Sequence, residues 1–338
     1  MAVTIKDVAD RAGVSTATVS YVLNGRETSI KITEVTKQRI LSASRELDYR
    51  PNAMARALSK KRTDTISLVL QYPNIFSGWS GFTNEMMRGA TDTAIQLGYD
   101  LMLHTKGQQG ISQEVAVLTD GRADGALLLR DRDDPLVEQL VQRGFPCLLI
   151  FTQSAHPKVW FVDCDNLLGG RLAAEHLLGL GHRRMLHLAG TRRSNDANNR
   201  RIGFEQALAE QGVPLLPHHV VEITYAGADY SGVKEALLAP DRPTAVFAWS
   251  DDVAIGLLTL AREIGLRVPE DLSVIGFDST EICNHTSPPL TSIRQPVYEM
   301  VSSAFSLLTE QIKGKNVGER QRLFSPVLVE RGSCAKCA

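Results

Sequence analysis

The sequence predicts an α/β protein in which a small helical head precedes a body of two lobes, each a parallel sheet flanked by helices. Three observations predict it. The first fifty residues read as short helices with clear start and stop signals. The roughly 275 residues beyond residue 62 alternate short apolar runs with amphipathic stretches and suffice for two lobes with their own cores. Charge divides the chain at the same place: residues 1 to 62 hold twelve Lys or Arg against six Asp or Glu, whereas the remainder is net −7, so the overall −1 conceals a basic head on an acidic body.

The first helix opens at Thr4, because Thr4-Ile-Lys-Asp7 has the capping-box spacing in which a hydroxyl and a carboxylate satisfy exposed backbone N–H groups. Ile5, Val8 and Ala9 form its apolar face. Gly13 ends it where positive φ permits a tight turn, and Val14 plugs the space between helices. Ser15 caps a second helix in which Ala17, Val19, Val22 and Leu23 supply the core while Thr16, Thr18, Ser20 and Tyr21 face outward. Small polar side chains at a helix N-terminus suit the DNA major groove, where base edges are in reach and terminal N–H groups bind phosphate. Taken alone, the pair also reads as an ordinary helical hairpin with a polar face.

A third helix, opened by Thr33, carries Val35, Ile40, Leu41 and Leu47 at intervals that cover the first two. Tyr49-Arg50-Pro51-Asn52 then interrupts the pattern: Pro51 disfavours helix before it, and Asn52 caps a short helix from Ala53 to Ser59. A helix so short is marginal in water, so its folding depends on DNA and a partner chain. The basic balance of this region fits phosphate binding that weakens with salt.

In the body, strands are expected at Ile66 to Leu70, Asp100 to Leu103, Ala126 to Leu129, Cys147 to Phe151, Met185 to Ala189, Ala245 to Trp249 and Ser273 to Phe277. No apolar run approaches the roughly 20 residues of a membrane span and the N-terminus shows no signal peptide, so a cytoplasmic protein is expected. Five cysteines, an odd number, with Cys147 and Cys164 in or beside apolar strands and Cys283 in a loop, argue against a disulfide framework. Cys334 and Cys337 form a terminal CAKC that could bind a metal or cycle as a dithiol, but no second ligand pair lies nearby, and a frayed, silent tail is the expectation.

The segments TIKDVADRAGVS, TVSYVLNG and YRPNAMARALSKKRT, in this order, resemble the headpiece and hinge of the lactose-repressor (LacI/GalR) family. RADGALLL, DNLLGGRLAAEHLLGLGHRRMLHLAG, RRIGF, RPTAVFAWSDDVAIG, GLRVPEDLSVIGFD and LTSIRQP extend the likeness over essentially the whole chain. The resemblance implies a helix-turn-helix headpiece over residues 1–50, a hinge helix over 51–62, and a periplasmic-binding-protein-like body. In that body residues 63–164 with 293–325 make one lobe and 165–292 with 326–338 the other. Three strands cross between lobes, near Asp163 to Asp165, Ser292 to Arg294 and Phe324 to Pro326.

On DNA, the resemblance gives contacts to Thr4, Ser15, Thr16, Ala17, Thr18, Ser20, Tyr21 and Asn24 of the head, with Thr16, Ala17 and Tyr21 choosing bases. Ala17 can only touch a thymine methyl or leave space, and Tyr21 offers one hydroxyl where many relatives place a forked or ring donor. Asn52, Ala53, Arg56, Ala57, Leu58 and Lys60 are the matching hinge positions, with Leu58 the wedge that unstacks a central base step in the minor groove. Ser59 stands where some relatives have lysine, so minor-groove charge must come from Arg56, Lys60 or Lys61.

Between the lobes, the resemblance places effector on Arg200, whose planar guanidinium can make paired hydrogen bonds, and on Asp278, which can accept two from vicinal hydroxyls. Each also reads as a lobe-stabilising ion pair or a turn. Ser250 and Asp251 either line the cleft or cap the helix that follows. The chain departs from the family at Phe151, where an effector-binding aspartate is usual, with Thr152 and Gln153 after it. A longer loop before Phe82 brings Tyr72, Phe76 and Trp79 to the cleft side, where aromatic contact with a sugar face or planar ring replaces the lost carboxylate, or else packs the lobe interface. Tyr225 and Tyr230 fall where relatives place one cleft aromatic.

The function implied is a transcriptional regulator that reads a pseudo-palindromic operator as a homodimer, a tetramer being left open, under allosteric control by a small effector of the carbohydrate class. No cofactor, catalytic residue or metal site is expected. A two-lobed sensor without an operator is the alternative, and the full head argues against it. An enzyme using Asp278, Arg200 and His187 lacks a metal spacing, a phosphate loop and a nucleophile elbow. His182 and His187 read as structural.

Overall fold

The computed structural model describes residues 3–24, 32–50, 60, 62–71, 80–105, 110–223, 229–315 and 318–337. The head and the body are separate compact units, with the division at residue 65.

The head contains α1 (Ile5–Ala12), α2 (Thr16–Leu23) and α3 (Glu34–Glu46). Thr4 Oγ1 and the Thr4 N–H both donate to Asp7 Oδ2, at 2.7 and 2.8 Å, while the Asp7 N–H returns to Thr4 Oγ1, completing the capping box. Gly13 takes φ 62° and its N–H reaches the carbonyls of Ala9 and Asp10, so α1 closes where a Cβ would be strained. Ser15 caps α2 through the Thr18 N–H, and Thr33 caps α3 through that of Thr36. Val8, Ala9, Ala12, Val19, Ile40 and Ala43 form the buried core, with Ile5, Val14, Val22, Leu23, Leu47 and Tyr49 against it.

Three core expectations fail here. Ala17 is exposed on α2, and Val35, at 76 % exposure, and Leu41 point away from the core of α3. The buried stripe of α3 runs through Thr36, Ile40, Ala43 and Leu47; Val35 and Leu41 each lie one residue, about 100°, off that stripe.

The body is two six-stranded sheets. The first contains β1 (Thr65–Leu70), β2 (Asp100–His104), β3 (Gly125–Leu129), β4 (Cys147–Ile150), β5 (Trp160–Cys164) and β11 (Gln321–Phe324) in the order β11-β5-β4-β3-β1-β2. The second contains β6 (Met185–Ala189), β7 (Val220–Glu222), β8 (Ala245–Ala248), β9 (Ser273–Asp278), β10 (Thr291–Arg294) and β12 (Val327–Val329) in the order β12-β10-β9-β8-β6-β7. All seven apolar runs are strands. From β1 through β3, β4 and β5 to β11, and from β7 through β6, β8 and β9 to β10, pairing is parallel; β12 runs antiparallel to β10, which the expectation of purely parallel sheets missed.

On the first sheet, α4 (Gly81–Leu97) and α11 (Val297–Ile312) bury Met86, Ala90, Met300 and Phe305 on one face. The opposite face packs α5 (Ile111–Leu118) and α6 (Pro135–Gln142). On the second, α9 (Ser231–Leu238) and α10 (Asp251–Glu263) cover one face, and α7 (Asn166–Gly179) and α8 (Asn195–Glu210) the other. The chain passes between sheets after β5, after β10 and after β11. Ile293 and Arg294, assigned to the first lobe from sequence, pair with β9 and β12 in the second sheet, so that passage falls at Gln295–Pro296.

The C-terminal segment is not frayed. Ser333 bridges β9 and β10, its hydroxyl donating to Val274 O at 2.6 Å and accepting from the Thr291 N–H at 2.8 Å. His182 holds Thr244 on one ring nitrogen and Ser273 and Ala335 O on the other, and the Cys337 N–H donates to Leu180 O at 2.8 Å. Burial pushes the Cys334 thiol up to about 12, against thiolate chemistry at physiological pH.

Helices α7 and α8 touch backbone to backbone. A Cβ on Gly170 would overlap the Arg200 carbonyl, and one on Gly203 would overlap that of Leu167. Neither obstacle is a side chain that can swing away. Gly203→Ala is therefore expected to lower stability by about 3 kcal/mol, from overpacking, when urea unfolding is followed by circular dichroism.

Candidate DNA-reading helix and inter-lobe cleft

On the head, the Ser15 cap sets Thr16 and Ala17 on the exposed first turn of α2. The exposure of Ala17 that removes it from the core leaves its methyl group available to a ligand. Thr18 and Ser20 are half-buried: the Thr18 hydroxyl lies 2.9 Å from that of Ser15, and Asn24 Nδ2 donates to Ser20 Oγ at 3.1 Å. Tyr21 is also half-buried, Thr4 is engaged in its capping box, and Lys60 is exposed. Asn52, Ala53, Arg56, Ala57, Leu58, Ser59 and Lys61 lie outside the described residues, as do Tyr72, Phe76, Trp79 and Tyr225.

In the body, the ends of β4, β5, β8 and β9 and the start of α7 bring polar groups together around Arg200. Its side chain is 3 % exposed. Nε donates to Asn166 Oδ1 at 2.9 Å, Nη1 to Trp249 O at 2.7 Å, and the guanidinium lies over the Phe277 ring, 3.7 Å from the centroid. Asp196 and Asp278 stand 3.7 and 3.9 Å away. The close α7–α8 contact is what brings Asn166 and Arg200 into register.

Asp278 ends β9 with φ 111° and accepts from Gln295 Nε2 at 2.5 Å. Burial holds its carboxyl well above the ordinary range; Arg200 opposes this, but neighbouring Asp251 adds to it. Asp251 is also buried. Ser292 Oγ at 2.6 Å, the Thr280 N–H at 2.9 Å and Cys283 Sγ at 3.0 Å all donate to it, yet burial still raises it to about 6. Ser250, not Asp251, is the cap of α10. Tyr230 donates to Val253 O and packs on α10.

Phe151 leaves β4 with φ 62° and rests against Phe82, ring centroids 4.8 Å apart at 57°. The two rings join the edge of the first lobe's core. Sequence reasoning missed the carboxylate that lies close by. Asp163 accepts from Gln153 Nε2 at 3.1 Å and from Asn166 Nδ2 at 3.3 Å, and burial lifts it to about 7. The signal was a lone carboxylate in the otherwise apolar strand WFVDC.

A three-helix head with an outward, polar second helix, ahead of a two-lobed α/β body with a charged cleft, defines a ligand-responsive DNA-binding transcriptional regulator. Residues 4–52 match the family model of bacterial regulatory proteins, lacI family, and residues 174–334 match a periplasmic binding protein-like domain. The chain is 35 % identical over 340 residues to the HTH-type transcriptional repressor CytR of Escherichia coli K12, covering 98 % of this chain and 96 % of that protein. It is similar to the lac repressor dimer bound to operator and the anti-inducer ONPF (TM-score 0.86, 27 % identity, 99 % of this chain and 100 % of that one). It is also similar to the transcriptional regulator CelR in complex with cellobiose (TM-score 0.71, 31 % identity, 98 % and 99 % covered). The protein belongs to the LacI family of transcriptional regulators. These relatives are regulators rather than enzymes.

Asp163 ionises less readily folded than unfolded, so its contribution to stability is complete below about pH 4 and is lost as pH rises through about 7. Asp163→Asn removes that loss. Its melting temperature is expected to gain on the parent chain between pH 5.5 and pH 8, in paired thermal melts across that range; parallel curves would place the titration elsewhere.

Proposed function

We propose that the protein represses transcription by binding a pseudo-palindromic operator as a homodimer, and that a carbohydrate or carbohydrate derivative between the lobes controls its grip. The observation that carries this reading is the exposed, polar first turn of α2, capped by Ser15 and presenting Thr16 and Ala17. Such a turn offers hydroxyls and a methyl group to base edges while its N–H groups meet phosphate. One head reads one half-site, so a palindrome requires two-fold symmetry. The lac repressor structure is a dimer on operator, and the CelR structure holds cellobiose. Since the target is chromosomal DNA, the protein acts in the cytoplasm; no helix among the described residues is long and apolar enough to cross a membrane.

In the cleft, Arg200 and Asp278 anchor effector hydroxyls, while Phe82 and Phe151 supply apolar contact where relatives carry a carboxylate. Ser250 and Asp251 act behind them, shaping the wall, and Tyr72 and Trp79 complete it. In the hinge, Leu58 enters the minor groove beside Asn52, Ala53, Arg56, Ala57 and Lys60. Effector changes the lobe angle and so decides whether two hinges fold side by side on DNA. The coupling is reciprocal, since operator must change effector affinity by the same factor.

A thermal-shift screen of sugars, polyols and nucleobases tests the cleft, because an occupied site raises stability by mass action. A carbohydrate hit is expected; hits confined to nucleobases would replace the ligand class. Leu58→Ala is expected to weaken operator binding in footprinting while leaving calorimetric affinity for the hit unchanged. Equal loss of both would move the hinge elsewhere. Tyr21→Ala is expected to lose about 1–3 kcal/mol of discrimination at one base pair per half-site, in binding assays against single-position operator variants.

A further inference from the structure

Around Arg200 the hydrogen-bond donors are committed to the protein itself, and acceptors are left over. Arg200 Nε and Nη1 donate to Asn166 Oδ1 and Trp249 O, and Phe277 closes one face of the guanidinium. The amides of Gln153 and Asn166 both donate to Asp163, and that of Gln295 donates to Asp278. In this set one cation faces three carboxyls: Asp196 and Asp278 stand 3.7 and 3.9 Å from it, and Asp163 reaches it through Asn166. Asp196, on the first turn of α8, is the most open of the three, its side chain 26 % exposed. An ionised carboxylate has about four acceptor sites and no donor, so each keeps capacity for an occupant that donates.

Hydroxyl and ammonium groups donate to such oxygens. A phosphate ester brings acceptor oxygens and a charge of about −1.5 to −2 instead. Burial already holds Asp163 and Asp278 above the ordinary carboxyl range. An anionic occupant would either meet the carboxyls charged or force them to bind protons, and both courses lower its affinity. A neutral polyol incurs neither cost, and an ammonium group relieves the crowding of carboxyls.

We propose that the inter-lobe cleft takes an effector that donates hydrogen bonds and carries no negative charge, a neutral polyol or an amino sugar, and that it rejects phosphorylated sugars. This inference rests on the effector-cleft reading above and adds the charge of the occupant.

Two measurements on the full chain test it. The first compares matched probes by thermal shift at neutral pH: ribose with ribose 5-phosphate, glucose with glucose 6-phosphate and with glucosamine, and adenosine with adenosine monophosphate. The shift given by inorganic phosphate at the same concentration is subtracted, to allow for the basic head. The neutral or amino member is expected to bind about tenfold or more tightly than its phosphate. A phosphate ester that binds as tightly as its neutral parent overturns the inference. Adenosine binding above its monophosphate, with no sugar bound, supports the charge rule while removing the carbohydrate class.

The second measurement needs no effector. Sodium sulfate is titrated against sodium chloride of equal ionic strength into the parent chain, Asp196→Asn and Asp278→Asn, and melting temperatures give the apparent sulfate affinity. Each variant removes one carboxyl beside Arg200 and keeps the guanidinium, while the head is common to all three and cancels. Sulfate is expected to bind the variants about threefold or more tightly than the parent, the effect of one unit charge a few ångströms away in water-like surroundings. A parent that binds sulfate as tightly as the variants overturns the inference. Should Asp278→Asn fail to fold, Asp196→Asn, at the more open position, decides alone. Neither measurement involves DNA, so failure of the charge rule leaves the regulatory reading standing, and failure of operator binding leaves the charge rule standing.

Discussion

A guanidinium taken out of water is tolerable only if nearly every donor finds an acceptor, and Arg200 imposes that demand on the centre of the body. Its hydrogen-bond acceptors come from the crossing after β5 and the end of β8, while Asp196 and, at the end of β9, Asp278 stand at ion-pair distance. Asn166 accepts from Arg200 and donates to Asp163, so one amide joins a cation of the second lobe to a carboxyl of the first. To satisfy the arginine the chain must place α7 against α8 at backbone contact, which accounts for glycine at 170 and 203. The three buried carboxyls nearby are held toward their neutral forms by burial, each opposed by hydrogen bonds that favour the charge. A cleft of this kind responds to small changes in water access or in the charge of an occupant, because burial raises all three carboxyls above the ordinary range and brings Asp163 to about 7.

The head obeys a different constraint. Its core is a handful of residues, too small to tolerate unsatisfied helix ends, and each of the three helices among its described residues starts on a hydroxyl cap. The caps also free α2 for recognition. With Ser15 satisfying the Thr18 N–H, the side chains beside it need not fold back, and Thr16 and Ala17 stand clear.

What was legible in the sequence was what local rules control. The capping box, the turn at Gly13 and the seven apolar strands follow from neighbours within four residues. The faces of α3 were misread because a one-residue shift rotates a side chain to another side of the helix, and the contacts that choose between them lie on α1 and α2. Asp163 and Asn166 were invisible as a pair with Arg200, thirty-four residues beyond Asn166, because only the sheet order brings them together. The antiparallel β12 and the bound C-terminal tail failed for a like reason: their partners, β10, Val274 and His182, are far away in sequence.

The route of the chain between the sheets has a consequence for how the protein is made. The first sheet lacks its edge strand β11 and its covering helix α11 until residues 297 to 324 have been added, after every strand of the second sheet except β12. A ribosome therefore releases the second lobe's core before the first can close over Met86 and Leu127. Until then α4 alone covers that face of the first sheet, so the first lobe completes its core only after most of the second has been synthesised.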